Sequence, residues 1–199
     1  MNRRLNQRFS GVVLILVLAA CGQPATTSTD QHHADASTSE AHAGHQHTPV
    51  LNSTAPIDAQ FIDSMIEHHR GAIDMAEQAL QAGQHAEIKH MASAIIAGQQ
   101  QEIDQMTAWR LQWYPNLPPT SGMGMAMGEM EVSADASKSF DQRFIEAMVS
   151  HHNGAIDMAY SAQTKAEHPE LAQLVHAIIT AQEAEIGQMK QWQHEWFTQ

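Results

Sequence analysis

Two adjacent histidines, with a methionine one helical turn before them, occur twice in this sequence. The copies are Met65-Ile-Glu-His-His-Arg-Gly-Ala-Ile-Asp-Met-Ala76 and Met148-Val-Ser-His-His-Asn-Gly-Ala-Ile-Asp-Met-Ala159. Residues three and four apart on a helix share a face, so each leading methionine can meet its two imidazoles. Thioether and imidazole groups together favour copper, particularly Cu(I), whereas zinc prefers thiolates or three imidazoles.

Each copy of the motif therefore supplies candidate copper ligands. Met75 lies two helical turns beyond His68, so these two side chains cannot share one ion without a ligand from another helix. The candidates within the motif are His68, His69, His151, His152, Met65, Met75, Met148 and Met158.

A second group of thioethers lies between the two copies, in Ser121-Gly-Met-Gly-Met-Ala-Met-Gly-Glu-Met130. This stretch has neither the β-branched residues of a strand nor a helical stripe, so it is predicted to be a flexible, exposed linker. Four thioethers in eight residues favour a weak copper-type sulfur cluster over an inert linker. Its candidate ligands are Met123, Met125, Met127 and Met130.

The duplication extends well beyond the motif and predicts the fold. Residues 58–110 and 141–193 share 24 identities in 53 positions at one offset of 83, without a gap. Apolar residues recur with helical spacing, and no strand pattern is present. The predicted helices pair into two antiparallel hairpins, which make an all-α four-helix bundle. Their predicted ranges are 58–80, 87–113, 141–163 and 169–196.

The antiparallel register of each hairpin brings polar residues towards the motif. With a turn near residue 84, His69 faces Gln99, and Glu102 lies one turn along. The second hairpin repeats this with Gln182 and Glu185, so Glu102 and Glu185 join the candidate metal ligands. Alternatively, the histidines and glutamates only satisfy one another inside the bundle.

Adjacent residues on a helix point about 100° apart, so the two histidines of a pair cannot both face the axis. We expect His68 and His151 at the rim, open to an ion. His69 and His152 are expected nearer the axis, beside the glutamine and glutamate of the partner helix.

Other catalytic patterns are incomplete. A di-iron bundle needs Glu-x-x-His on two helices, but Glu87-Ile-Lys-His90 occurs once and its counterpart ends in Gln173. We find no Ser-His-Asp arrangement, phosphate loop or nucleotide fingerprint. The sequence thus indicates no catalytic residues, and an enzyme is the less favoured interpretation.

The first twenty residues resemble a lipoprotein signal peptide. Arg3, Arg4 and Arg8 precede a short apolar stretch that ends in Leu-Ala-Ala before the single cysteine, Cys21. Cys21 is the predicted lipidation site, which implies export and a membrane anchor. An ordinary secretory signal with a nearby free cysteine is the alternative.

The rest of the chain divides into a tether and the bundle. Residues 21–56 contain few large apolar side chains and are predicted to be a disordered, His-rich tether. The bundle takes 57–199, with repeat one at 58–113, the Met/Gly linker at 115–135 and repeat two at 141–196. A His-rich tract is a weak metal-capture signal; its histidines are His32, His33, His42, His45 and His47.

The charge restricts the partners. The formal net charge is −12, and cleavage of the leader would remove three more arginines. Such a chain repels nucleic acid and suits cations. The expected partners are copper ions, the membrane through the lipid anchor only, and a copper donor or acceptor protein.

The repeated Met-x-x-His-His-x-x-Ala-Ile-x-Met-Ala, followed by Ile-x-x-x-Gln-x-x-Glu-Ile-x-x-Met, resembles the domain of unknown function 305 family over about 58–196. The resemblance implies a ferritin-like fold and, from exported members, copper binding and copper resistance. It places these expectations on His68, His69, Met75 and their counterparts His151, His152 and Met158.

Three functions remain open at this point. The first is a lipid-anchored, extracytoplasmic protein that binds copper for sequestration, transfer or resistance. The second is a metal oxidase with a bundle-centre His/Glu site. The third is a structural bundle without a metal.

The anchor gives a direct prediction. Replacing Cys21 by Ser should release the protein from membranes, because the serine hydroxyl cannot carry the thioether-linked lipid. Membrane fractionation and intact mass measure this. A wild-type protein that is wholly soluble after export, without acyl mass, would contradict the prediction.

Overall fold

The structure, a computed structural model, describes residues 54–198, which form four α-helices and contain no strand. These are α1 (Ile57–Ala82), α2 (Ala86–Trp113), α3 (Phe140–Gln163) and α4 (Pro169–Phe197). The predicted all-α four-helix bundle is confirmed. Cys21 and the five tether histidines lie outside the described residues. Within 54–198, every helix is too polar to cross a membrane.

The inner helices of the bundle are α1 and α3. The main packing contacts join α1 to α2, α3 to α4, and α1 to α3. Both inner helices are lined with small residues, such as Ala72 and Ala76 on α1 and Ala155 and Ala159 on α3, all buried. Small side chains let helix backbones approach closely, so the two copies of the histidine motif meet in the middle of the bundle.

The apolar core is divided into two clusters. One, which includes Met75 and Phe144, joins mainly the second half of α1 and the first half of α3 with parts of α2 and α4. The other joins the first half of α1 and the second half of α3 with parts of α2 and α4, and we call it the Phe61–Ile179 cluster after its first and last buried residues. The four motif histidines lie on α1 and α3 between these halves, so a polar layer separates two apolar ends.

Buried aspartates join the two hairpins at both ends of the bundle. Asp58 lies in the first turn of α1, but its carboxylate binds the other hairpin. It accepts the backbone N–H groups of Glu167 and His168, the two residues before α4 begins, each at 2.9 Å. Asp141 of α3 likewise accepts the N–H groups of Gln84 and His85 at the start of α2. A carboxylate is favoured there because helix N-termini carry partial positive charge.

Each aspartate also holds a histidine that stacks on a tryptophan. His168 Nδ1 lies 2.7 Å from Asp58, and its ring stacks on Trp113 with centroids 3.8 Å apart. At the other end, His85 Nδ1 lies 2.5 Å from Asp141, and its ring stacks 3.9 Å from Trp196. These Asp–His–Trp contacts connect residues far apart in sequence and hold the hairpins in register.

Replacing Asp141 by Asn should lower the free energy of unfolding by about 1–3 kcal/mol, because a buried carboxylate that accepts two backbone N–H groups is lost. Asp58→Asn should have a similar effect at the other end. Urea denaturation measures both. The matched controls are Asp74→Asn and Asp157→Asn, since these two aspartates are related by the same repeat but are exposed. Equal losses of unfolding free energy in all four variants would contradict a stabilising role for the Asp58 and Asp141 hydrogen bonds.

Candidate metal centre

The His68 and His151 rings face each other across the α1–α3 interface. Their centroids are 3.7 Å apart, with 47° between the ring planes, and neither residue is exposed to solvent. The expectation that these two residues lie at an open rim is therefore wrong. The helix stripe alone does not show which face of α1 meets α3, and it is the packing of these inner helices that buries the pair.

Neither ring nitrogen of His68 or His151 has a partner at hydrogen-bonding geometry among residues 54–198. Burial, reinforced by the neighbouring imidazoles, lowers the pKa of His68 to about 3 and that of His151 to about 2. The backbones of Met127 and His151 lie close enough to the His68 ring to oppose this shift, but they do not reverse it. Both rings are therefore neutral at pH 7, the form that binds a metal.

The second histidine of each motif is paired with a glutamate. His69 Nε2 lies 2.6 Å from Glu102, and His152 Nε2 lies 2.7 Å from Glu185. These contacts agree with the hairpin register read from the sequence. Both imidazoles are fully buried, whereas the carboxylates reach partly into solvent. The Nδ1 atoms of His69 and His152 have no hydrogen-bond partner in the described part of the chain.

The two glutamates line a narrow cleft between the outer helices α2 and α4. The cleft has a volume of about 50 Å³ and is lined by Gln99, Glu102, Gln182 and Glu185, together with apolar side chains and a glycine. Both glutamines are buried, as their place beside the apolar stripe predicts.

The four methionines of the motif are core residues in this structure. Met65 and Met158 belong to one apolar cluster, and Met75 and Met148 belong to the other. They therefore flank the histidine layer from both sides. Whether their thioethers take part in binding remains a hypothesis from the sequence.

The methionine-rich segment between the repeats is not a free linker. We call residues 120–130 the Met strap. Met123, Met125 and Met127 are partly buried against the Phe61–Ile179 cluster, so the expectation of a flexible and exposed segment is wrong.

Hydrogen bonds tie the Met strap to both inner helices. Asp63, which also pairs with Arg110, accepts the N–H of Thr120 at 2.7 Å. The buried Ser64 hydroxyl accepts the N–H of Met123 at 2.9 Å. On α3, the Ser150 hydroxyl accepts the N–H of Glu129 at 3.3 Å. The strap thus lies over the α1–α3 interface, next to the motif histidines.

Two repeated glycines make room for the strap. A Cβ added at Gly154 would lie 2.7 Å from the carbonyl oxygen of Met127, and one added at Gly71 would overlap the Met130 side chain. The sequence contains a signal for this role that its periodicity does not explain. Glycine within a helix is less stable than alanine by about 1 kcal/mol, so a glycine repeated at the same interior position indicates a close approach.

The donor set fits a soft, singly charged ion better than a hard one. Among residues 54–198, no three His, Cys, Asp or Glu side chains are gathered to hold one ion. The buried centre instead has two facing, neutral imidazoles, and the Met130 thioether lies near His151, next to Gly71. Imidazole and thioether are ligands that Cu(I) prefers.

The pKa shifts predict how the stability of the copper-free protein depends on pH. An unfolded histidine titrates near 6.5, whereas folded His68 and His151 titrate near 3 and 2. The unfolded chain therefore binds protons that the folded chain refuses. The free energy of unfolding that depends on these two rings is therefore fully present above pH 6.5. It falls as the pH drops towards 3, by about 1.4 kcal/mol per pH unit for each ring.

Urea denaturation at pH 7.5 and 5 measures this loss. The variant His68→Leu/His151→Leu should lose less stability over the same interval, because leucine does not titrate. Equal losses in the two proteins would show that other groups cause the pH dependence.

The sequence and fold of this chain resemble those of known proteins. The family model described as domain of unknown function (DUF305) matches residues 16–110 and 58–193. CopM in the Cu(I)-bound form is 41% identical, with a TM-score of 0.61, and the match covers 70% of this chain and 97% of CopM. CopM in the Cu(II)-bound form is 42% identical, with a TM-score of 0.62 and the same coverage.

A more distant structure, a DUF305 fragment from Deinococcus radiodurans, is 26% identical. Its TM-score is 0.59, and the match covers 68% of this chain and 94% of the fragment. No curated protein matches this chain. The family match includes both copies of the motif and all four helices, and on this evidence the chain belongs to the DUF305 family.

Proposed function

We propose that this protein is an exported, lipid-anchored copper-binding protein that holds Cu(I) at the His68–His151 pair. Its role would be to sequester copper or pass it to another protein, and so to support copper resistance. The observation that carries the proposal is the buried pair itself, whose rings lie 3.7 Å apart with no hydrogen-bond partner for their nitrogens among the described residues.

A buried polar atom without a partner destabilises a fold by about 1–3 kcal/mol. Four such nitrogens at one place are a poor solution for a purely structural core. A bound metal ion would use the lone pairs that the protein leaves unused. A metal-binding role therefore explains His68 and His151 better than a purely structural role in the core.

The relatives support copper as the ion. CopM has been crystallised in Cu(I)-, Cu(II)- and silver-bound forms, and it shares 41% of its residues with this chain over the bundle. Because copper and silver are bound there, we infer that soft metal ions are also the cargo here.

Physical chemistry favours Cu(I) over Cu(II) inside the bundle. Moving a charge out of water is unfavourable unless ligands compensate it, and the cost rises steeply with charge. The groups beside the pair are neutral, namely the imidazoles themselves and the Met130 thioether next to His151. The glutamates are already paired with His69 and His152. A singly charged ion therefore suits the core better than a doubly charged one.

His69 and His152 have a supporting role in this proposal. A metal-binding histidine commonly gives its other ring nitrogen to a carboxylate, which orients the ring and raises its basicity. Glu102 and Glu185 hold Nε2 of these rings and leave Nδ1 free within the layer. Each adjacent pair could thus contribute one imidazole held by the α1–α3 contact and one oriented by a glutamate.

Export and anchoring rest on the leader and Cys21, and the acidic composition of the chain would attract cations to its surface. The tether histidines would add weak capture sites. A donor or acceptor protein is implied only if copper is passed on rather than stored.

Anaerobic competition for Cu(I) against a coloured chelator tests the site. The variant His68→Leu/His151→Leu keeps the core apolar and filled while removing both imidazoles. We expect its Cu(I) affinity to fall at least about 100-fold, equivalent to about 2.7 kcal/mol.

The matched control is His90→Leu/His176→Leu, which removes two exposed imidazoles from α2 and α4. It should retain wild-type affinity. Unchanged affinity in the buried-pair variant, with its helix content and melting temperature retained, would leave the motif with a structural role only.

A further inference from the structure

The buried histidine pair raises the question of how an ion reaches it. All four motif imidazoles have no solvent exposure, and residues 120–130 lie across the interface between the two inner helices. An ion from solvent must therefore pass the Met strap or part the helices.

One residue of the strap is next to the pair and still reaches solvent. Met130 is 36% exposed. Its side chain lies over Gly71, where a single added Cβ would be 3.2 Å from Met130 Sδ and 3.3 Å from His151 Nε2. The Met130 thioether and an unpartnered nitrogen of the buried pair thus border the same point.

The other strap methionines do not combine these properties. Met123, Met125 and Met127 are partly buried and pack against the Phe61–Ile179 cluster. Met127 also approaches the His68 ring, but with its backbone. Met130 is the strap methionine that the structure places beside the His151 ring.

We propose that Met130 and His151 form an access site through which a soft monovalent metal ion moves between solvent and the His68–His151 pair. This inference rests on the proposed function and adds a route to it. The ion binds the exposed Met130 sulfur first, then the metal–nitrogen bond to His151 forms as the metal–sulfur bond breaks. The ion keeps its single charge throughout, and no electron or proton is transferred.

Gly71 serves this site by the absence of a side chain. A methyl group there would displace the end of Met130 and crowd His151 Nε2. Glycine lowers the stability of the helix relative to alanine. In return, the Met130 side chain can lie beside His151, in the space that a Cβ would fill. Gly98, on the outer helix α2, has open space around it and has no such neighbour.

The test uses the full chain with Cys21→Ser in every protein, so that no thiol competes for the probe. Cu(I) is supplied anaerobically as its bicinchoninate complex, and loading is followed by stopped-flow absorbance. The loading phase of the core is defined as the phase that is missing from His68→Leu/His151→Leu.

Met130→Leu removes the sulfur while keeping the apolar volume, and swaps of this kind are well tolerated. We expect the core to load about tenfold more slowly, a barrier increase of about 1.4 kcal/mol, while its equilibrium Cu(I) affinity falls far less than in the double histidine variant. The control is Met91→Leu, which replaces a buried core methionine of α2 that is not a candidate ligand; it should load at the wild-type rate.

Gly71→Ala should slow loading in the same direction, and Gly98→Ala should not. Wild-type loading in Met130→Leu would overturn the access site while leaving the copper proposal intact. A loss of equilibrium affinity in Met130→Leu as large as that in the double histidine variant would also overturn it, because Met130 would then be a permanent ligand. Absence of any core phase in the wild-type chain would instead refute the proposed function.

Discussion

The structure depends on a layer of four imidazoles buried at the middle of an otherwise apolar bundle. A buried polar group is unfavourable unless it has a hydrogen-bond partner. Only two of the four imidazoles have a side-chain partner of this kind in the part of the chain that the structure describes. His69 and His152 are each held by a glutamate that reaches partly into solvent. His68 and His151 have only each other at close range. The apolar clusters on either side must stabilise the fold enough to tolerate that pair, and the pair is where binding of an ion would return free energy.

The duplication explains why the layer can exist. Because α1 and α3 are copies of one helix packed in opposite directions, identical residues meet at the centre of their contact. Identical aspartates, Asp58 and Asp141, likewise bind the turn of the opposite hairpin just before its second helix. Each hairpin thus supplies what the other lacks, so neither is expected to form the site alone.

The Met strap connects stability with access. It is held by side chains of α1 and α3 and lies against two glycines that belong to the motif copies themselves. A segment fixed in this way helps to shield His68 and His151 from water, and this burial keeps the pKa values of these two rings low. It also brings sulfur to the edge of a nitrogen site, so that a soft ion need not be fully released into solvent between ligands.

Much of this could be predicted from the sequence because it depends on local spacing. Helical periodicity and the single offset of the repeat were sufficient for the four helices, and the hairpin turn was sufficient for the contacts of His69 with Glu102 and His152 with Glu185. The sequence also determined that imidazole and thioether would be the available donors, since no cysteine lies within the bundle.

Only the tertiary structure decided which histidine of each pair is central. The orientation of α1 against α3 is a long-range packing choice, and it turned His68 and His151 inwards where the stripe suggested a rim. The same packing decided that Asp58 binds the backbone just before α4, and that the methionine segment packs on the bundle rather than forming a loose linker. Each of these outcomes depends on residues 57 or more positions apart, or on a contact between the two inner helices, and such contacts leave no periodic trace in the chain.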